Sequence, residues 1–320
     1  MTRQSVCVLG GCGFIGSHLV NELNKNGYRV HVLTRRRERH KSLAVLPNLR
    51  MFEGDAHDPA VLDKAIAGCS TVVNLIAILN ERRGENFRQV HVELPQKIVT
   101  ACKKHAVDHL VHMSALNADA RNGPSRYLRS KGEGEDLVHG AAGDTFRVNS
   151  FRPSVVFGPG DHLFGRFAGI LKMSPGIVPL ACPEARFAPV FVDDLVAGMV
   201  ATIAHTTWSG KRFEVCGPKT YTLLELLEYT NKILGTRRVI IGLNRSLSRL
   251  LAGLMSVAPG KPLTPDNVLS LSVDSVCRNP DNAPPVPATT PVEAVVPFYL
   301  GQQQFRSHYD RFRHWARRYV

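Results

Sequence analysis

Strand-like runs of five to seven residues recur along the first half of the chain, at 5–9, 28–34, 49–53, 71–75, 109–114 and 146–152. Between them lie stretches in which apolar residues return every third or fourth position. Runs of the first kind suit strands covered on both faces, and the second spacing gathers apolar side chains on one side of a helix. Their alternation predicts an α/β fold with a parallel, doubly wound sheet of the Rossmann type. Expected helices include 14–26, 59–67, 86–105 and 126–139, with Gly27 and Gly68 placed as carboxyl-end stops.

After Gly160 the texture changes. Pro175, Pro179, Pro183 and Pro189 punctuate the sequence, and helical spacing returns at 193–203, 223–234 and 247–257. We expect 1–160 to form a nucleotide-binding Rossmann domain, and 161–278 to complete the sheet and add a small substrate-side lobe. Five prolines between 279 and 291 exclude a helix or central strand, so that segment is expected to be an extended linker. Over 292–320 a basic amphipathic helix is expected, with Phe305, Tyr309, Phe312, Ala316 and Tyr319 on one face and Arg306, Arg311, Arg313, Arg317 and Arg318 on the other. Leu247, Leu250, Leu251, Leu254 and Met255 form a second apolar stripe, for which packing within the protein is the simpler account.

Composition narrows the class. A chain that is 44% hydrophobic and 21% charged fits a folded soluble protein, and no stretch approaches the ~18 uninterrupted apolar residues of a membrane span. The net charge of +13 fits an anionic membrane surface or an acidic partner, while no nucleic-acid-binding module is visible. Cys7, Cys12, Cys69, Cys102, Cys182, Cys216 and Cys277 are scattered without paired spacing. That pattern fits neither a disulfide framework nor a zinc site, so no metal is expected and a reducing compartment is: cytoplasmic, or peripheral on the inner face of a membrane. No presequence is expected ahead of a glycine-rich turn that already starts at Gly10.

That turn, Gly10-Gly11-Cys12-Gly13-Phe14-Ile15-Gly16, joins the first strand to the first helix. Gly10 allows a tight turn, Gly13 lets backbone approach a pyrophosphate, and Gly16 lets the helix pack closely on the strand. The helix amino end at Phe14 and Ile15 then faces the phosphates. About twenty positions on, where an acidic residue would hold a ribose 2′-hydroxyl, stand Thr34, Arg35, Arg36 and Arg37. A guanidinium such as that of Arg35 binds a 2′-phosphate bidentately, so NADP(H) is favoured over NAD(H). Tyr127 and Lys131 stand one helical turn apart and share a face. The ammonium is expected to lower the phenol pKa, so that Tyr127 can exchange a proton with a substrate oxygen while Lys131 also bonds the ribose.

With these residues in view, the chain resembles the extended and atypical branch of the short-chain dehydrogenase/reductase superfamily, the NAD-dependent epimerase/dehydratase-like proteins. The resemblance rests on the glycine turn, on Gly54-Asp55 with Asp58, on Tyr127 with Lys131, on the run from Arg152 to Asp161, and on Phe191-Val192-Asp193-Asp194. Within that branch, the run from Tyr127 to Glu135 looks most like the nucleotide-binding accessory subunit of respiratory complex I and its bacterial relatives. The resemblance implies that Asp55, with Ala56, contacts the adenine, that Leu75 and Ala77 line the adenosine side, and that Pro153 to Val156 border the nicotinamide. Two departures stand out. Ser114 precedes Tyr127 by thirteen positions rather than about two dozen, and Val90-His91-Val92 replaces a Val-Asn-Val context. Ser114 is kept as a third catalytic candidate, and His91 is read equally as a structural histidine. Two functions stay open: an active reductase, dehydrogenase or sugar-nucleotide epimerase taking a carbonyl or hydroxyl substrate, and a nucleotide-binding component of a respiratory membrane complex linked to quinone metabolism.

Overall fold

The computed structural model describes residues 4–82, 84–258 and 263–300, so the basic face expected over 301–320 lies outside the described residues. From the amino end run β1 (Ser5–Leu9), α1 (Phe14–Lys25), β2 (Arg29–Thr34), α2 (Lys41–Ala44), β3 (Leu49–Glu53), α3 (Pro59–Ile66), β4 (Thr71–Asn74), α4 (Leu94–Lys104), β5 (His109–Met113), α5 (Arg126–Gly140) and β6 (Arg147–Pro153). Then follow β7 (Val156–Phe157), α6 (Leu163–Met173), β8 (Ile177–Ala181), β9 (Arg186–Phe187), β10 (Val190–Phe191), α7 (Val192–Ala204), β11 (Arg212–Val215), β12 (Tyr221–Thr222) and α8 (Leu223–Ile233). The described chain closes with β13 (Val239–Leu243), α9 (Arg245–Met255), α10 (Pro265–Ser270) and α11 (Val292–Leu300).

Seven parallel strands form one sheet in the order β11-β6-β5-β4-β1-β2-β3, the doubly wound arrangement that the strand-like runs predict. Val6 and Val8 face Leu19, Leu23, Leu195 and Met199, while Cys7 and Leu9 face Leu62, Ile66, Ile98 and Val138 on the other side. Each face of β1 is therefore roofed by helices, and its run is apolar from Val6 to Leu9. The strand order reverses between β1 and β4, and a ligand crevice opens there at the carboxyl ends. A third core, around Phe157, Phe164, Leu171 and Leu226, holds the smaller lobe.

Four expectations need correction. The helix expected over 86–105 starts as a wide π turn, Gln89–Glu93, ahead of α4. Pro95 has no N–H and its ring would crowd the carbonyl of His91 four residues back, and widening the turn relieves that clash. Cys216 and Cys277, expected to be unpaired, form a disulfide across 61 residues. The proline-rich 279–291 segment opens on a short 3-10 turn, Pro280–Asn282, and is no free linker: Asp194 on α7 accepts from the backbone N–H groups of Thr289 and Thr290, both at 2.9 Å, and from the Thr290 hydroxyl. Ala288 packs against the core beside α1 and α7. Finally, the α9 stripe does not pack inward, since Leu247, Leu250 and Leu254 are exposed. Among the described residues no helix is long and apolar enough to cross a membrane, and no cluster of His, Cys, Asp or Glu could hold a metal ion.

Candidate active site

The carboxyl edge of the sheet gathers the expected nucleotide residues. Gly10 has φ +83°, a left-handed conformation that the turn requires, and a Cβ at Gly16 would lie 2.2 Å from the Gly10 carbonyl oxygen. Helix α1 follows Gly13 at its cap position, with no side-chain cap and no acidic residue in its first turn. The leading N–H groups at Phe14, Ile15 and Gly16 are thus suited to an external anion, and a dinucleotide pyrophosphate fits this cradle. The Leu75 backbone, which leads toward Ala77, lies against Gly10: a Cβ on Gly10 would sit 3.2 Å from it. On the opposite side, Gly160 approaches the Phe14 ring, and His18 in α1 meets the Pro159 carbonyl at 3.3 Å and the Asp193 carboxylate at 2.7 Å. The turn after β7 is thereby pinned to the glycine elbow. Asp193, in the first turn of α7, thus ties that helix to α1.

Arg35 leaves β2 exposed, its guanidinium 2.7 Å from the Glu85 carboxylate. At the end of β3, Asp55 accepts from the backbone N–H of His57, and Ala56 is buried. Asn74, at the end of β4, accepts from the Ile76 N–H and donates to His112 on β5, so its role is the tie between neighbouring strands. Pro153 accepts from the Leu116 N–H, and Val155 accepts from Val190, which fixes the 153–156 turn between β5 and β10, with Val156 half-buried on β7.

Helix α5 carries the remaining chemistry. Ser125 caps it through the Leu128 N–H, and both oxygens of Asp266, from α10 in the smaller lobe, accept from the N–H groups of Arg126 and Tyr127 at 2.7 and 3.1 Å. Two helix glycines permit its close seating. A Cβ on Gly132 would lie 2.3 Å from the Ala120 nitrogen, and one on Gly134 would lie 1.8 Å from the His91 carbonyl oxygen. The Tyr127 ring packs edge-on against His91 and Phe87.

Desolvation pushes the Tyr127 phenol up to about 12, the reverse of the lowering expected from Lys131. Tyr127 therefore holds its proton at neutral pH, the form of a donor. Lys131 is buried, donates to the Met113 carbonyl, and is drawn down to about 8 by burial, with Glu135 pulling the other way.

Sequence reasoning missed the groups beneath this pair. Glu135 is fully buried, forms a two-pronged ion pair with Arg152 at 2.7–2.9 Å, and accepts from the Ser114 hydroxyl at 3.0 Å. Ser114 is thus turned toward that ion pair. The i, i+4 step from Lys131 to Glu135 was visible in the sequence, but Arg152 lies on another strand. His91 accepts the Ile78 N–H at Nε2, so its proton sits on Nδ1 and bonds the Ser130 hydroxyl, which in turn donates to the Tyr127 carbonyl. Burial brings His91 down to about 2 and fixes it as a neutral structural link.

A glycine elbow at a Rossmann switch point, facing a helix with tyrosine and lysine one turn apart, defines a nicotinamide-dinucleotide protein of the oxidoreductase and epimerase class. Residues 6–216 match the model of the NAD dependent epimerase/dehydratase family, and the chain belongs to that family. It is 29% identical over 276 residues to the mitochondrial NADH dehydrogenase [ubiquinone] 1 alpha subcomplex subunit 9 of Rattus norvegicus, covering 84% of this chain and 72% of that one. Similarity to the ceramide reductase of Caulobacter vibrioides is 28% over 242 residues, covering 75% and 74%. The solved structure of MoeE5 in complex with UDP-glucuronic acid and NAD shares the fold with a TM-score of 0.64 at 23% identity, covering 75% of this chain and 85% of that one.

Proposed function

We propose that this chain is an NADP(H)-binding, oxidoreductase-like protein of the complex I accessory-subunit type, associated with a respiratory membrane complex and with quinone metabolism. The observation that carries the coenzyme preference is Arg35, which stands at the carboxyl end of β2 on the same sheet edge as the glycine elbow, where a carboxylate would exclude a 2′-phosphate. Gly10, Gly13 and Gly16 with Phe14 and Ile15 hold the pyrophosphate. Asp55, Ala56, Leu75 and Ala77 border the adenosine, and Pro153 and Val156 border the nicotinamide. The bound coenzyme supplies hydride, and Lys131 holds its ribose. The rat relative's name motivates the membrane-complex partner, and the basic 301–320 segment suits the same surroundings.

A second reading, an active carbonyl or hydroxyl reductase, is favoured by the intact Tyr127 and Lys131 and by the relative named as a ceramide reductase. In it Tyr127 gives its proton to the substrate oxygen, while Ser114, held by Glu135, polarises the carbonyl only if it turns. Thermal shift and NADPH oxidation on the wild type and on Tyr127→Phe test both readings. Saturating NADPH, at about a hundred times its Kd, stabilises both proteins by roughly 2.7 kcal/mol. If the enzyme reading holds, Tyr127→Phe loses turnover by at least ~100-fold at unchanged coenzyme affinity. Absence of any NADPH-dependent shift overturns the nucleotide reading, and turnover retained by Tyr127→Phe overturns the role of the phenol.

A further inference from the structure

Helix α9 is attached by its small residues. Ser248 and Ala252 are fully buried, and the Ser248 hydroxyl accepts the Cys182 N–H and donates to the Leu243 carbonyl. The leucines look outward: Leu247, Leu250 and Leu254 are 48%, 61% and 65% exposed, and Val257 beyond them 87%. The helix packs against the two-stranded sheet of β8 and β13, which is apolar on its outer side as well. There Val239 pairs with Ile177 and Ile241 with Pro179; the two isoleucines and the valine are exposed, while Ile240 turns into the core of the lobe. Met173, just ahead of β8, is 86% exposed. A soluble protein rarely leaves so many large apolar side chains outward on one lobe without a partner for them.

Charge identifies that partner. Residues 163–181 and 236–258 contain Arg166, Lys172, Arg237, Arg238, Arg245 and Arg249 and not one carboxylate. Apolar side chains interspersed in these two stretches with cations alone complement an anionic lipid bilayer, and Asp266 on the adjoining α10 is taken up by the backbone of α5. The surface does not complement a second copy of the chain, which would bring like charge against like charge. Nor does it complement residues 301–320, which carry five arginines against the single Asp310.

We propose that the outer face of α9 and of the β8–β13 sheet seats on anionic phospholipid, with Leu250 and Leu254 entering the acyl boundary and the arginines meeting headgroups. α10 follows α9, packs on it, and sends Asp266 to the start of α5, so the seated lobe adjoins Tyr127. The surface is independent of the coenzyme reading, and its test needs no nucleotide.

The test is co-sedimentation of the full chain with vesicles of phosphatidylcholine alone and with about 30% phosphatidylglycerol, whose headgroups supply the negative surface potential that attracts basic residues. Binding is expected to require the anionic lipid. Leu250→Gln with Leu254→Gln should weaken it at least about tenfold at an unchanged melting temperature, because both side chains are solvent-exposed. Arg237→Ser and Arg249→Ser should each weaken it by about fivefold, the equivalent of roughly 1 kcal/mol per basic residue. The proposal is overturned if the leucine variant binds vesicles as the wild type does, if deleting 301–320 alone abolishes binding, or if the leucine substitutions convert a dimer to a monomer while lipid binding persists.

Discussion

At the scale of single residues, the proposed preference for NADP(H) turns on Arg35. Its partner Glu85 is a surface carboxylate, and an exposed pair of this kind holds its guanidinium weakly, so a 2′-phosphate can compete for it. Arg35→Ser should cost NADPH roughly 10- to 100-fold in affinity, the equivalent of one charge-assisted bond, and leave NADH unchanged. Equal losses for both coenzymes would contradict that role. Glu135 governs Lys131 from below. Glu135→Gln removes the carboxylate that sustains the lysine charge, so the Lys131 pKa should fall below about 8, and any pH profile that reports it should move toward acid. A fall in stability with an unmoved profile would leave Glu135 a purely structural group. Much of this site was legible in the sequence: Gly10, Gly16, Tyr127 and Lys131 come from local patterns whose spacing is itself the geometry. Glu135 with Arg152, His91 with Ile78, and Asp266 on the start of α5 were not, because each joins residues on different elements and no periodicity records such a pair. The direction of the Tyr127 shift was missed for a related reason, since desolvation depends on what covers the ring.

At the scale of elements, the close seating of α5 on the π turn depends on a missing methyl group. Gly134→Ala would push a Cβ into the His91 carbonyl at 1.8 Å and should destabilise the fold by about 3 kcal/mol, the upper end of overpacking penalties. Gly140, at the far end of the same helix, has nothing within 4 Å of such a Cβ, so Gly140→Ala should be neutral or stabilising by up to about 1 kcal/mol. Equilibrium denaturation compares the two, and equal effects would contradict the close approach. The six strands of the first half were readable to within one residue: β4 and β5 are buried throughout, whereas β3, at the sheet edge, is only half-covered and is marked by its place in the alternation. The leucines of α9 misled because amphipathic spacing shows that a face exists but not what covers it.

For the whole molecule, the burial of four histidines, that of His139 only partial, costs stability at acid pH. Desolvation holds His109 and His139 at about 4 and His91 at about 2, and takes His112 well below its ordinary value. The unfolded chain binds protons at these residues near pH 6.5 and the folded chain does not. Their contribution is therefore fully present above about 6.5 and is lost as pH falls toward 4, by about 1.4 kcal/mol per pH unit for each histidine. Denaturation midpoints across that interval check this, and a flat profile would contradict it. The Cys216–Cys277 bridge ties the proline-rich strap to the end of β11 and closes a loop of about sixty residues. On the chain-entropy estimate, Cys277→Ser should cost about 4 kcal/mol. Melting with and without reductant is the check.

The central proposal is a coenzyme bearing a 2′-phosphate, seated at the elbow after β1. Calorimetric titration of the purified chain with NADPH and with NADH tests this most directly. The arrangement of Arg35 beside Gly10 to Gly16 predicts saturable one-to-one binding of NADPH, at least about tenfold tighter than NADH, the equivalent of one charge-assisted contact. Binding of neither coenzyme, or tighter binding of NADH, would contradict it.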